Sequence, residues 1–281
     1  MNETATRLAC FELWGGNTKT DHEVELPGLV GWVHSDPLES EDEPASGPAA
    51  GPVASRLGQA ARGGDVHYFA VCSQGRVSRI AVADVAGHGR SASGVAERLR
   101  GVLQRHTNNW DQSALMRELN DAFLAGSSGV EYATATVLGF YVETGELLFS
   151  SAGHPPCLWY RAQARTWHLL EDCTPYAVQI EGLPLGIIPG TRYSQTAVRL
   201  GVGDQVILYT DGLSETEDAA GNQLGSQGLM KIARALRPAP PEETARALMA
   251  AVDAFRGPGP RGDDATVVVL QRTEATQLGS Y

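Results

Sequence analysis

The chain is predicted to fold as α+β, with two β-sheets stacked on one another and helices packed outside them. Three observations carry that expectation. Apolar runs of strand length come in blocks separated by pairs of amphipathic helices, without the regular β-α alternation of a parallel sheet. The 281 residues and 42% hydrophobic content are enough to bury one sizeable core. Carboxylates flanked by glycine recur at the ends of strand-like runs: Gly63-Gly64-Asp65, Asp84-Val85-Ala86-Gly87-His88-Gly89, Asp211-Gly212 and Gly262-Asp263-Asp264. Glycine there lets a loop bend tightly beside a small charged object.

The elements follow in order. Residues 1–34 alternate apolar and polar patches and read as one or two strands. Residues 36–64 open with Glu39, Glu41, Asp42 and Glu43 and continue as a run of Pro, Ala, Gly and Ser. That composition buries too little apolar surface to order itself, so the segment is expected to be a flexible loop, either an inert insertion or a lid or docking segment. Val66 to Ser73 and Arg76 to Val82 form a predicted hairpin around Gln74-Gly75, which brings Asp65 and Asp84 to one sheet edge. Helices are predicted over Ser91 to Arg105, with Val95, Leu99, Val102 and Leu103 on one face, and over Asp111 to Leu124, with Leu115, Leu119, Ala122 and Phe123.

Strands are then expected at Ala133 to Val142, Leu147 to Ala152, Cys157 to Tyr160, Trp167 to Leu170, Tyr193 to Leu200 and Gln205 to Tyr209. Helices return at Ser226 to Leu236 and, behind Pro240-Pro241-Glu242-Glu243, at Thr244 to Phe255. Asp264 to Gln271 closes the fold as a strand. The domain is expected to span residues 1–271, with 272–281 a frayed tail.

Composition excludes several function classes. A net charge of −11 and no basic stripe argue against nucleic acid as a partner. No window approaches the roughly 20 apolar residues of a bilayer span, and Met1 to Cys10 has no apolar stretch behind a basic flank, so no membrane association and a cytoplasmic location are expected. Cys10, Cys72, Cys157 and Cys173 form no CxxC pair and read as reduced thiols. No Gly-x-x-x-x-Gly-Lys-Ser/Thr loop is present, which disfavours nucleotide hydrolysis of that type. Several acids drawn to one place repel each other unless a cation neutralises them, and carboxylate oxygens are the ligands that Mg²⁺ and Mn²⁺ prefer. An enzyme with a metal centre is therefore expected.

Five segments in order sharpen this: Gly63-Gly64-Asp65; Asp84-Val85-Ala86-Gly87-His88-Gly89; Ser151-Ala152-Gly153-His154-Pro155-Pro156; Leu183-Pro184-Leu185-Gly186 with Gly203-Asp204 and Tyr209-Thr210-Asp211-Gly212-Leu213-Ser214-Glu215; and Asp263-Asp264-Ala265-Thr266. Together they resemble the metal-dependent serine/threonine phosphatases of the PP2C type, in their bacterial sporulation and stress-response branch, from about residue 63 to 270. The resemblance implies a four-layer α-β-β-α sandwich of two antiparallel sheets flanked by helices, with two divalent cations, Mn²⁺ or Mg²⁺, at one edge. It implies that Asp84 bridges both ions, that Asp65 and the Val85 carbonyl complete the first site, and that Asp211 and Asp263 hold the second. Asp264 is either a ligand or a structural neighbour, because adjacent strand residues point to opposite faces.

Two such ions would supply an acidified water as the nucleophile, and a serine or threonine alkoxide would be the leaving group. His88 is a candidate proton donor for it, or else it packs against or caps the following helix; it lies four residues after Asp84, where the eukaryotic relatives have a histidine two after the bridging aspartate. His154 either makes a structural hydrogen bond or contacts substrate or a third metal. Arg62 is either a phosphate clamp or solvated, and Glu215 is similarly open. The expected function is hydrolysis of phosphoserine or phosphothreonine on a small regulatory protein such as an anti-sigma-factor antagonist, with regulation by a protein partner, by the loop over 36–64, or by neither. The alternatives are an inactive pseudophosphatase that binds a phosphoprotein and a small-molecule phosphoesterase. Val66-His67-Tyr68 departs from the aromatic pair and second acid usual after Gly-Gly-Asp in that branch.

Overall fold

The computed structural model describes residues 11–16, 19–38, 64–72, 75–86, 90–106, 111–126, 132–170 and 182–274. Its elements are β1 (Phe11–Gly16), β2 (Thr20–Leu26), β3 (Leu29–Asp36), β4 (Asp65–Cys72), β5 (Val77–Val85), α1 (Arg90–His106), α2 (Gln112–Gly126), β6 (Ala133–Tyr141), β7 (Glu146–Ala152), β8 (Leu158–Arg161), β9 (Thr166–Leu169), β10 (Thr196–Arg199), β11 (Gln205–Tyr209), α3 (Asp211–Ser214), α4 (Gly225–Ala235), α5 (Pro241–Arg256) and β12 (Ala265–Arg272).

Two six-stranded sheets result, ordered β1-β4-β5-β6-β7-β10 and β2-β3-β12-β11-β8-β9. Neighbouring strands in both pair antiparallel. Alternation along the strands divides the interior into layers. Phe69, Ile80, Val82, Leu138 and Phe140 of the first sheet meet Val33, Val206, Leu208 and Val268 of the second. On the outer side of the first sheet, Tyr68, Ala81, Ala83 and Val137 pack under Leu99, Leu103, Leu115 and Phe123 of α1 and α2. On the outer side of the second, Ile207, Tyr209, Val267 and Val269 pack under Leu229, Met230, Leu248 and Val252 of α4 and α5. This is the four-layer α-β-β-α sandwich that the resemblance implies.

Local chemistry explains the element ends. Gly28 turns β2 into β3 at φ +70, where its missing side chain also leaves room for the Phe140 ring, 3.1 Å from a built Cβ. Helix α5 starts earlier than the periodicity suggests, because Pro241 is pre-set for the first helical position and Glu242 and Glu243 complement the helix dipole. Among the described residues, three strands, not one or two, precede residue 37. They were hard to count because β1 joins the first sheet beside β4 while β2 and β3 join the second. The strand expected over Tyr193 to Leu200 shrinks to β10, since Tyr193 turns inward to pack with the α1 and α2 layer. Helix α3 is one turn long and leaves no periodicity to read. Among the described residues no helix is long and apolar enough to cross a membrane.

Candidate metal centre

The hairpin register places Asp65 directly opposite Asp84, so both carboxylates sit at one edge of the first sheet. The second sheet supplies the facing edge. Strand β11 ends at Tyr209, the Thr210 amide extends its ladder to the Thr266 carbonyl at 3.0 Å, and Asp211 then opens α3. Asp263 and Asp264 lie just before β12.

At each edge a glycine lets neighbouring backbone come close to the acids. A Cβ on Gly64 would stand 2.3 Å from both Asp84 Oδ1 and the Val85 carbonyl oxygen. A Cβ on Gly212 would stand 1.7 Å from the Asp264 carbonyl oxygen and 3.5 Å from Asp263 Cβ. No side chain fits at either position, which is why these glycines accompany the acids.

The electrostatics match an oxygen cradle for a hard cation. Burial, then repulsion from Asp211, Asp263, Asp264 and Glu215, pushes the Asp84 carboxyl up to about 7. Burial, then Asp263 and Glu215, raises Asp211. Burial raises Asp65, 3% exposed, well above the ordinary carboxylate range, with Asp84 and Asp264 adding to it against the hydroxyls of Thr266 and Thr210. The acids thus lie within electrostatic reach of one another, and a divalent cation would relieve that repulsion. Among the described residues no three His, Cys, Asp or Glu side chains already stand in a ligating arrangement. The donor chemistry, carboxylate oxygens with the Val85 carbonyl beside them, fits Mg²⁺ or Mn²⁺.

Asp264 is occupied by backbone. Its Oδ1 accepts from the Leu38 amide at 2.7 Å and its Oδ2 from the Gly64 amide at 2.9 Å. One carboxylate therefore ties the end of β3 to the start of β4 beside Asp65. Arg261 adds a second tie, donating to the Asp36 carboxylate at 2.6 Å and to the Asp36 carbonyl at 2.9 Å.

A chain of buried hydroxyls holds Asp65. Thr210 Oγ1 donates to Asp65 Oδ2 at 2.7 Å and accepts from the Thr266 amide at 3.0 Å, while Ser35 Oγ and Thr266 Oγ1 stand 2.8 Å apart. Sequence reading missed these three residues, although Thr210 lies inside the Tyr-Thr-Asp-Gly segment; an unassigned hydroxyl beside an assigned aspartate was the available signal. Thr210→Val keeps the side-chain shape but leaves Asp65 buried without that donor. It is expected to cost roughly 1–3 kcal/mol, read as a lowered midpoint in urea unfolding of the metal-free protein.

His154 is buried, with Nδ1 2.8 Å from Thr134 Oγ1. That geometry is the structural hydrogen bond expected as one of its two roles. His88 and Arg62 lie outside the described residues.

Residues 74–273 match the family model described as Stage II sporulation protein E (SpoIIE). The chain belongs to the SpoIIE family. The SpoIIE match begins after Asp65, so the first-strand acid rests on the register with Asp84 rather than on the family model. Among curated proteins of this kind, phosphoserine phosphatase RsbP of Bacillus subtilis (strain 168) is 27% identical over 141 residues, which is 48% of this chain and 33% of RsbP. The chain thus spans about a third of that relative's length. Among solved structures, the RsbU and RsbW domains of Rv1364c from Mycobacterium tuberculosis superpose with a TM-score of 0.65 at 23% identity, over 90% of this chain and 63% of that one. The catalytic domain of serine/threonine protein phosphatase PstP in complex with 2 manganese ions superposes with a TM-score of 0.55 at 15% identity, over 87% and 98%. At these identities the structures establish a shared PP2C-type fold.

Proposed function

We propose that this SpoIIE-family chain is a metal-dependent phosphatase that hydrolyses phosphoserine or phosphothreonine on a small bacterial regulatory protein, such as an anti-sigma-factor antagonist, and that residues 1–271 form its single catalytic domain. The observation that carries this reading is the meeting of two sheet edges: Asp65 and Asp84 from the first, Asp211 and Asp263 from the second, close enough for Asp211 and Asp263 to raise the Asp84 pKa. Asp84 would bridge two ions, Asp65 and the Val85 carbonyl would complete one site, and Asp211 and Asp263 the other. Asp264 would position Gly64 instead of ligating, since both its oxygens already accept backbone amides.

A bound Mn²⁺ or Mg²⁺ pair supplies an acidified water for attack on phosphorus and offsets charge on the phosphoryl oxygens. The chain's own part is to bring Asp84 and Asp211 together, hold Asp65 through Thr210, and fix the distance between the two edges. Burial lowers the His154 pKa to about 3, so its ring is neutral at working pH and is not the proton donor to the leaving alkoxide. His88 is the proposed donor.

Hydrolysis of p-nitrophenyl phosphate and of phosphoserine peptides with Mn²⁺ is the direct test. Turnover is expected to vanish in EDTA and to return with excess Mn²⁺. Metal binding without turnover of any phosphopeptide would replace this reading with a phosphoprotein-binding module. Faster hydrolysis of free nucleotides than of phosphoproteins would replace it with a small-molecule phosphoesterase.

A further inference from the structure

Thr134 is the register partner of Asp84 across β5 and β6, so the two side chains share the face that looks toward the second sheet. Gly153, at φ +67, turns the chain after β7, and a Cβ there would meet the Gly182 carbonyl oxygen at 2.8 Å and Pro184 Cγ at 2.9 Å. That turn directs His154 into the sandwich, where Nδ1 meets Thr134 Oγ1 at 2.8 Å. On its other side the ring meets the Tyr209 backbone, close enough to favour the protonated form, although Nε2 closes no hydrogen bond of ordinary geometry. Tyr209 ends β11, immediately before Thr210, which holds Asp65, and two residues before Asp211. One buried ring therefore touches the strand paired with Asp84 and the strand that delivers Asp211.

We propose that His154 is a positioning residue, a strut between Thr134 and Tyr209 that fixes the spacing of the Asp84 and Asp211 halves of the metal centre. The inference rests on the reading of that centre given above. A neutral imidazole suits this role because it bridges two sheets without placing a charge beside the acids, and its planar ring has few rotamers to lose. The Ser151 hydroxyl, 3.4 Å from the His154 carbonyl, steadies the turn from behind.

The test is Mn²⁺ binding by titration calorimetry on the wild type, Thr134→Val, His154→Leu and the double variant. Thr134→Val and His154→Leu are each expected to weaken Mn²⁺ binding about 10- to 100-fold, the usual effect of removing a group that orients ligands. The double variant is expected to bind no more weakly than His154→Leu alone, because both changes cut the same strut. Asp204→Asn provides a stability control. Asp204 precedes β11 at the end opposite Tyr209, and its carboxylate accepts the Ala162 and Gly201 amides, both at 2.8 Å. Its substitution is expected to lower Tm and leave Mn²⁺ affinity unchanged. The pH dependence of kcat is expected to keep both limbs in His154→Leu, whereas loss of a general acid would remove one.

Wild-type Mn²⁺ affinity in folded Thr134→Val overturns the strut even if His154→Leu fails to fold, and it leaves the phosphatase reading intact. A wild type that binds no Mn²⁺ overturns the metal centre, and the strut with it. A loss of Mn²⁺ affinity in Asp204→Asn equal to that in Thr134→Val overturns the strut by making the effect one of general stability.

Discussion

Asp84→Asn is expected to abolish turnover while making the metal-free protein more stable at neutral and alkaline pH. The two effects share one cause. Asp84 stands where burial and four neighbouring acids oppose its charge, pushing its pKa from the ordinary 3.8 up to about 7. Asparagine keeps the shape and removes the charge, so the ligand proposed to bridge the two ions is lost. Metal-derived stabilisation of transferring phosphoryl charge is worth several kcal/mol, which corresponds to a fall in kcat of about a thousandfold or more.

For the fold without metal the direction reverses. A carboxyl whose folded pKa lies above its unfolded value contributes stability that is fully present below about pH 4 and is lost as pH rises through about 7. Wild-type protein in EDTA is therefore expected to lose stability across that window, on the order of a few kcal/mol from Asp84 alone. Two buried histidines act oppositely. His67 and His154 are lowered by burial to about 4 and about 3, so each contributes stability present above the unfolded value near 6.5 and lost as pH falls toward those values. The comparison that isolates Asp84 is the difference in Tm between Asp84→Asn and wild type in EDTA, measured from pH 5 to pH 8. That difference is expected to grow with pH and to shrink when Mn²⁺ is added to the wild type; a constant difference contradicts the repulsion.

Gly64→Ala is expected to disable the metal centre with a single added methyl. Gly64 is not among the glycines at positive φ, so alanine meets no backbone penalty and the effect is purely steric. The added Cβ would stand 2.3 Å from the Asp84 carboxylate and 2.3 Å from the Val85 carbonyl, and one of those groups is backbone that cannot rotate away. Displacing them by the ångström or so required is expected to cost at least about 100-fold in kcat/KM and roughly 1–3 kcal/mol in stability. Gly190→Ala is the matching control. Gly190 sits at φ +71 with nothing within 4 Å of a built Cβ, so its substitution carries conformational strain and no clash. It is expected to lower Tm and leave Mn²⁺ affinity unchanged, whereas Gly64→Ala is expected to abolish Mn²⁺ binding by calorimetry. Equal Mn²⁺ affinity in the two variants contradicts the cradle.

Much of the fold was legible because burial imprints its period on sequence. The β4–β5 hairpin, with a turn at Gly75 and carboxylates at both outer ends, is a local feature, and its register emerged as expected. The helices over 90–106 and 112–126 were readable from one apolar face each. What failed to show was partner choice. Nothing in Phe11–Gly16 distinguishes a strand that joins β4 from one that joins β2, because both sheets reward the same alternation. The same limit applied to the site. Acids beside glycines could be picked out, but Thr210, Thr266 and Ser35 were silent, since a hydroxyl in a strand carries no mark of what it will meet 56 or 231 residues away.

Asp264 and His154 draw the boundary most clearly. The amino-acid order by itself determined that carboxylates would gather at strand ends with glycines beside them, because tight turns and hard-cation chemistry each demand those residue types locally. Only the folding of one sheet onto the other decided that Asp264 would turn both oxygens to the amides of Leu38 and Gly64, and that His154 would lie buried between Thr134 and Tyr209. Those roles depend on distances between chain segments remote in sequence, and such distances are set by the packing of the two sheets, which no local pattern encodes.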